Sequence, residues 1–266
     1  MTDKRPIRLA LIGLGMATKP HLEGLAELRG RVDVSGVYNR TRAKADAVSA
    51  EYGFPVFGGV EEIAADPSTD GVIIATPPNQ REELVAMMAG AGKHILMEKP
   101  VERTMEAAAR IVKTCETSGV TLGIVFQHRF RAGARRLRAL IDEGALGEQA
   151  LVRALIPWWR DQPYYDTPGR GTYARDGGGV LISQAIHVLD LMLSLTGPAK
   201  TVQAMTATTR AHKMESEDFA TAGVEYASGA VGSIVATTAT YPGYEESIFI
   251  DGTEATASLQ GGQLDV

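Results

Sequence analysis

The stretch Ile7-Arg-Leu-Ala-Leu-Ile-Gly-Leu-Gly-Met-Ala-Thr18 decides the fold. A short, β-favouring apolar run ends at Gly13-Leu14-Gly15, and a helical pattern begins at Lys19. A strand that stops at a glycine pair and resumes as helix is the opening of a dinucleotide-binding βαβ unit. Glycine is needed twice there, once for a tight turn and once so that backbone can approach a pyrophosphate. The N–H groups of Leu14, Gly15, Met16 and Ala17 then open a helix whose positive end faces the phosphates. The third fingerprint position, which governs helix–strand packing, holds Thr18.

Outward from that turn, residues 1–125 alternate short apolar runs with helical patterns, the signature of a parallel sheet built from βαβ units. Strands are expected at 7–12, 32–38, 72–75, 94–97 and 120–126, and helices at 19–28, 42–51, 81–90 and 105–117. The runs GVIIAT and HILME lack polar alternation, as strands buried on both faces should. Past residue 125 the texture changes. A helix at 132–143, a strand in EQALVRALIPWW and a polar, aromatic loop over 160–178 precede an apolar helix at 180–195, ended by Gly197-Pro198. Three or four alternating strands follow, with Ser228-Gly229 as a hairpin turn. The fold class is therefore an α/β Rossmann domain with a parallel sheet (1–125) plus a C-terminal α+β domain with a predominantly antiparallel open sheet (126–266). The second domain reads as short at its C-terminal end, where an unfinished meander would expose an edge.

Composition narrows the function. The 266 residues carry 27 Lys and Arg against 32 Asp and Glu, so no basic field exists to attract nucleic acid. No apolar run reaches the roughly 20 residues of a membrane span, and Gly13 interrupts any signal-peptide core, which points to a soluble, cytoplasmic protein. The single cysteine, Cys115, cannot form an intrachain disulfide, and no histidine pair has metal-ligand spacing, so no metal is expected.

The second strand ends VYNRT. Where the fingerprint expects an acidic residue to accept the ribose 2′-hydroxyl of NAD stands Asn39, followed by Arg40. A neutral Asn tolerates a 2′-phosphate and a guanidinium can pair with one, so the reading leans to NADP over NAD.

Several motifs, in order, resemble the glucose–fructose oxidoreductase/inositol dehydrogenase (Gfo/Idh/MocA) family: Gly13-Leu-Gly15, VIIATPP (72–78), GKHILMEKP (92–100), GGGVLISQAIHVLDLM (177–192) and YPGYEESIFIDGTEAT (241–256). They span nearly the whole chain. The resemblance implies a Rossmann domain, an open antiparallel sheet, an active site between them, and a homodimer or homotetramer formed through the sheet. It implies oxidation or reduction of a sugar, cyclitol or related polyol. Lys99 falls on the lysine that binds the reacting oxygen, and a cation there lowers the cost of a developing alkoxide. His187 falls on the general acid/base. The cofactor would be held by Gly13, Leu14, Gly15, Met16, Ala17, Asn39, Arg40, Thr76, Pro77, Asn79, Glu98, Lys99 and Gln127. The substrate would meet Lys99, Arg160, Tyr165, Arg170, Ser183 and His187.

Two positions depart from the family pattern. Ser183 stands where many members carry Asp or Asn, four residues before the histidine on the same helix face, and it cannot act as a carboxylate base. Arg81 stands where the motif after TPP often has His. Asp190 could orient the His187 imidazole or be structural. In the loop, Trp158, Trp159, Tyr164 and Tyr165 offer faces for a sugar ring, or pack as a buttress. His21, His94 and His212 are expected to be structural. Two other functions stay open on this scaffold: an NAD-dependent glycosidase that restores its cofactor each cycle, and a non-catalytic dinucleotide-binding sensor or partner protein.

Overall fold

The structure, a computed structural model, describes residues 5–15 and 17–266. Met16, assigned above to cofactor binding, lies outside the described residues. The chain divides into two compact units, Met1–Val125 and Phe126–Val266.

The first unit runs β1 (Ile7–Ile12), α1 (Lys19–Glu27), β2 (Val32–Tyr38), α2 (Arg42–Tyr52), α3 (Val60–Ala65), β3 (Gly71–Ile74), α4 (Arg81–Gly90), β4 (His94–Glu98), α5 (Met105–Thr117) and β5 (Leu122–Val125). Its strands form one parallel sheet in the order β2-β1-β3-β4-β5. All four residues of β3 are buried, as an unalternating strand between two helix layers must be. Separate apolar clusters line the two faces, one around Ile12, Ile74, Met88 and Met97, the other around Leu11, Leu22, Val37 and Phe54. The expected elements agree with the observed ones to within two residues, and the short helix α3 was not among them. Cys115 faces the first cluster from α5 and is 2% exposed, and burial pushes its thiol up.

The second unit runs α6 (Ala132–Asp142), β6 (Gln149–Pro157), α7 (Gln162–Asp166), α8 (Ile186–Thr196), β7 (Ala199–Ala207), β8 (Phe219–Tyr226), β9 (Val231–Thr237), β10 (Ser247–Gly252), β11 (Thr256–Gln260) and β12 (Gln263–Asp265). Seven strands line up as β12-β11-β10-β6-β9-β8-β7, antiparallel except for the β6–β9 pair. The Ser228-Gly229 turn joins β8 to β9 as expected, with Gly229 at φ +91° and the Tyr226 N–H donating to the Ala230 carbonyl.

Helices α6 and α8 cover one face of this sheet, burying Leu137, Val188, Met192 and Leu195 against Val152, Ile156, Ile234 and Ile250. On the other face Leu151, Leu155, Val231 and Met205 remain 37%, 43%, 51% and 58% exposed. Among the described residues no helix is long and apolar enough to cross a membrane.

Three expectations are corrected. Six strands, β7 to β12, follow α8 where three or four were expected, β11 and β12 being the ones not foreseen. The loop over 160–178 contains a short helix, α7, capped by the Asp161 carboxylate accepting from the Tyr164 N–H. The helix expected at 180–195 is two pieces, a π-turn over Leu181–Ala185 and then α8. Periodicity alone cannot show the underwound turn, since both pieces are apolar.

Candidate functional site

In the first unit the sheet order reverses at β1, with β2 on one side and β3 on the other. Loops leaving the C-terminal ends of β1 and β3 therefore diverge, and open parallel sheets take their ligands in that crevice. Gly13 follows β1 there and Thr76 follows β3.

The two glycines differ in what demands them. Gly13 has φ +93°, and a Cβ on it would sit 2.9 Å from the Ala75 carbonyl carbon, so the chain itself requires glycine. A Cβ on Gly15 would meet nothing within 4 Å, and its φ lies outside the left-handed region. Nothing among the described residues demands glycine at that position. A bare backbone open to a close-lying group is what the residue provides, and a pyrophosphate fits that cradle.

The glycine loop is braced from both sides. Thr18, 2% exposed, donates from Oγ1 to the Gly15 carbonyl at 2.8 Å, filling the packing role of a third glycine. Asn39 accepts the Leu14 N–H on Oδ1 at 3.0 Å and donates from Nδ2 to the Thr41 carbonyl at 3.1 Å. The Leu14 N–H is thus held by Asn39 within the loop. Arg40 is exposed beside it. The Thr76 hydroxyl is buried and has no hydrogen-bond partner among the described residues, a second feature that suits a bound polar group. Pro77 and Asn79 are exposed, the latter in a 3-10 turn over Pro78–Gln80.

Glu98 ends β4 with its carboxylate 2.7 Å from His21 Nε2 on α1. Both side chains are largely buried, and the contact gives His21 a structural partner. Lys99, half-buried, follows directly and is joined to Pro100 by a cis peptide bond.

Behind this turn lies a residue whose importance the sequence reading understated. Arg81, 2% exposed, donates from Nε and Nη2 to the Thr76 carbonyl at 3.0 and 2.7 Å. Its Nη1 donates to the carbonyls of Glu98 and Pro100. Burial pushes this guanidinium down to about 10, against the opposing pull of the Glu98 and Glu102 carboxylates. The signal in the sequence was the departure itself, an arginine in a run where nothing else predicts a buried cation.

In the second unit His187 sits in the first turn of α8, 8% exposed. Its ring stacks on His128, centroids 5.1 Å apart and planes at 27°, and meets Phe126 edge-on at 6.2 Å. His128 Nδ1 lies 3.9 Å from Glu246 Oε1. Glu246 also accepts from Arg131 Nη1 at 2.7 Å and Trp158 Nε1 at 3.2 Å. Burial pushes the Glu246 carboxyl up, but the Arg131 hydrogen bond, its own N–H and nearby His128 outweigh this and hold it below the ordinary range. Neither His128 nor Glu246 was legible as a site residue, because their meeting depends on tertiary structure.

The Asp190 carboxylate forms a bidentate ion pair with Arg129. Ser183 is half-buried inside the π-turn, its N–H donating to the Gly179 carbonyl at 3.0 Å. Gln127 is exposed at the start of a 3-10 turn in this second unit.

The aromatic loop is partly a buttress. Tyr165 is 7% exposed, its hydroxyl 2.6 Å from Thr238 Oγ1, and burial pushes its phenol up to about 12. The expected stacking face at Tyr165 is therefore covered, by Tyr164 and His212. His212 is structural: Nδ1 lies 2.7 Å from Asp218 Oδ2 and Nε2 2.7 Å from the Arg160 carbonyl. Arg160 and Arg170 both lie over the half-buried Tyr164 ring, at 5.7 and 5.0 Å. The Arg170 Nε is buried and has no hydrogen-bond partner among the described residues. Also among them, no group of three or more His, Cys, Asp or Glu could hold a metal ion.

Two family models match this chain. The oxidoreductase family with an NAD-binding Rossmann fold, GFO_IDH_MocA, covers residues 7–126, and the GFO/IDH/MocA C-terminal domain covers 134–258. The WlbA dehydrogenase from Bordetella pertussis, solved with NADH and UDP-GlcNAcA, is 33% identical with a TM-score of 0.93, covering 100% of this chain and 78% of that one. Levoglucosan dehydrogenase, solved with NADH and levoglucosan, is 25% identical with a TM-score of 0.87, covering 96% and 74%. The D-apiose dehydrogenase of Rhizobium rhizogenes is 27% identical over 267 residues, 97% of this chain and 74% of the enzyme. The chain spans roughly two fifths to three quarters of the length of the curated relatives it matches.

Proposed function

The chain belongs to the GFO/IDH/MocA oxidoreductase family, and on that premise we propose that it transfers hydride between a nicotinamide dinucleotide and a hydroxyl-bearing carbon of a sugar. The observation that carries this reading is the glycine pair at the sheet's switch point, where Gly13 answers to the chain and Gly15 to a ligand. When bound, the dinucleotide supplies the hydride acceptor or donor. Gly15, Ala17, Arg40, Thr76, Pro77 and Asn79 are proposed to hold it, with Asn39 shaping the loop. Asn39 offers no carboxylate to repel a 2′-phosphate and Arg40 is exposed beside it, which favours NADPH over NADH by about three- to tenfold.

The chemistry of the protein's own groups follows from charge. Removing hydride from a carbinol leaves its oxygen in need of losing a proton. We assign that proton to His187, a group whose ordinary pKa suits transfer near neutrality. Lys99 holds the oxygen while its charge develops.

For the substrate, the likeness to a UDP-GlcNAcA-binding dehydrogenase and the Arg160–Tyr164–Arg170 cluster favour a sugar bearing an anionic group. Two planar guanidiniums are suited to carboxylate or phosphate. The open face of the second unit's sheet is the proposed surface for a homodimer or homotetramer.

Titration of the purified protein with NADPH and NADH, followed by nicotinamide fluorescence, tests the premise. Tighter NADPH binding is expected, followed by stoichiometric cofactor turnover with UDP-GlcNAcA in preference to levoglucosan. Binding of neither nucleotide refutes the oxidoreductase reading. Sugar conversion without net cofactor change points to the glycosidase chemistry, and binding with no conversion of any sugar to the sensor.

A further inference from the structure

We infer that Arg81 is a positioning residue for Lys99, a clamp that fixes where the lysine stands by gripping the main chain on both sides of it. The inference rests on the role proposed for Lys99. Its basis is the set of atoms that the guanidinium bonds. One nitrogen takes the carbonyls of Glu98 and Pro100, the residues immediately before and after Lys99. The other two take the carbonyl of Thr76, at the end of the neighbouring strand. A single rigid fork thus ties the C-terminal ends of β3 and β4 together and leaves Lys99 as the residue between two anchored carbonyls.

A fork is needed for this. Guanidinium presents several N–H groups in one plane and keeps its charge when buried, whereas an ammonium is a compact point charge on a flexible stem. Burying a cation is unfavourable, and the nearby Glu98 and Glu102 carboxylates offset only part of that cost. Its donors go to main-chain carbonyls instead, and those that flank a candidate catalytic lysine are at stake. A core arginine retained only for packing would be replaceable by a side chain of equal volume. A clamp would not be, because loss of the fork frees both flanking carbonyls at once. Displacing a reacting group by about 1 Å can cost on the order of a hundredfold in rate.

The test uses Arg81→Lys and Arg81→Met in the cofactor-saturated protein, with two readouts. The first is the rate of reductive methylation of Lys99 by formaldehyde and cyanoborohydride, mapped by peptide mass spectrometry against exposed Lys113 on α5 as internal reference. The expected result is at least a threefold change in the Lys99 rate relative to Lys113 in Arg81→Lys, which retains the charge and keeps the fold even where Arg81→Met does not.

The second readout is turnover of UDP-GlcNAcA with the preferred nicotinamide cofactor. Arg81→Lys should lower kcat by about ten- to a hundredfold, with the cofactor Kd and sugar KM within threefold of wild type. In a Lys99→Ala background the same substitution should have no further effect on the residual rate. Unchanged methylation of Lys99 overturns the proposal, as does altered methylation with undiminished kcat. If Lys99→Ala turns over normally, the role of the lysine falls and the consequence drawn for Arg81 falls with it. Absence of turnover in the wild type counts against the function alone, since the methylation readout needs no substrate and still decides the clamp.

Discussion

A glycine pair is usually read as one signal, yet Gly13 and Gly15 carry different loads. An Ala at residue 13 would force a left-handed backbone on a residue with a Cβ and press that Cβ against the Ala75 carbonyl. Gly13→Ala should lose about 2–4 kcal/mol of stability, measured by denaturant unfolding. Gly15→Ala should unfold within about 2 °C of wild type while binding NADH at least about tenfold more weakly. Equal losses of stability in the two variants would contradict the distinction. Sequence reading found both glycines because strand, glycine and helix follow one another locally. It could not find that Asn39 spends its side-chain oxygen on Leu14, or that Glu98 spends its carboxylate on His21, since those partners lie 25 and 77 residues away.

At the level of elements, the strands of the first unit were legible almost to the residue. Each is a short apolar run bounded by turn residues, and a doubly covered strand has no other pattern to offer. The second unit was legible as a class but not in its count, because β11 and β12 are short and half-polar. The π-turn before α8 was hidden inside an apolar run, and the pairing of His187 with His128 lay beyond any local pattern. One element-scale consequence concerns the open sheet face. Leu155 and Val231 are far more exposed than the residues beneath α6 and α8, and they lie on the face proposed above for association. Leu155→Arg should leave the unfolding temperature of the monomer within about 3 °C and shift the sedimentation mass toward that of one chain. An unchanged mass, with wild type an oligomer, would place the interface elsewhere.

Across the whole molecule, stability should weaken in acid before it weakens in base. The Asp66 carboxyl is held low by hydrogen bonds from Ser68 and Thr69, and the Asp70 carboxyl by Arg5 and the Arg8 N–H. Glu246 is held low by Arg131 and its neighbours against the opposing effect of burial. A carboxyl with a depressed folded pKa is protonated in the unfolded chain first, so its contribution is complete above about pH 4–5 and is lost as pH falls through the folded value. The unfolding temperature should be flat from about pH 7 to 5 and fall below about pH 4. A flat profile down to pH 3 would show that these groups are not coupled to folding.

The central strand of the second unit, β6, also dictates an order of events. It is the first strand of this unit to be made, but the partners on its two sides, β9 and β10, follow about eighty and a hundred residues later. Closing such long loops delays nucleation, so this unit should fold more slowly than its size suggests. During that interval β6 presents two unsatisfied edges and an apolar face, a state open to capture by another nascent chain. The strand at the middle of this sheet is the one that waits longest to be paired on both edges, and chaperone demand during synthesis should concentrate on that wait.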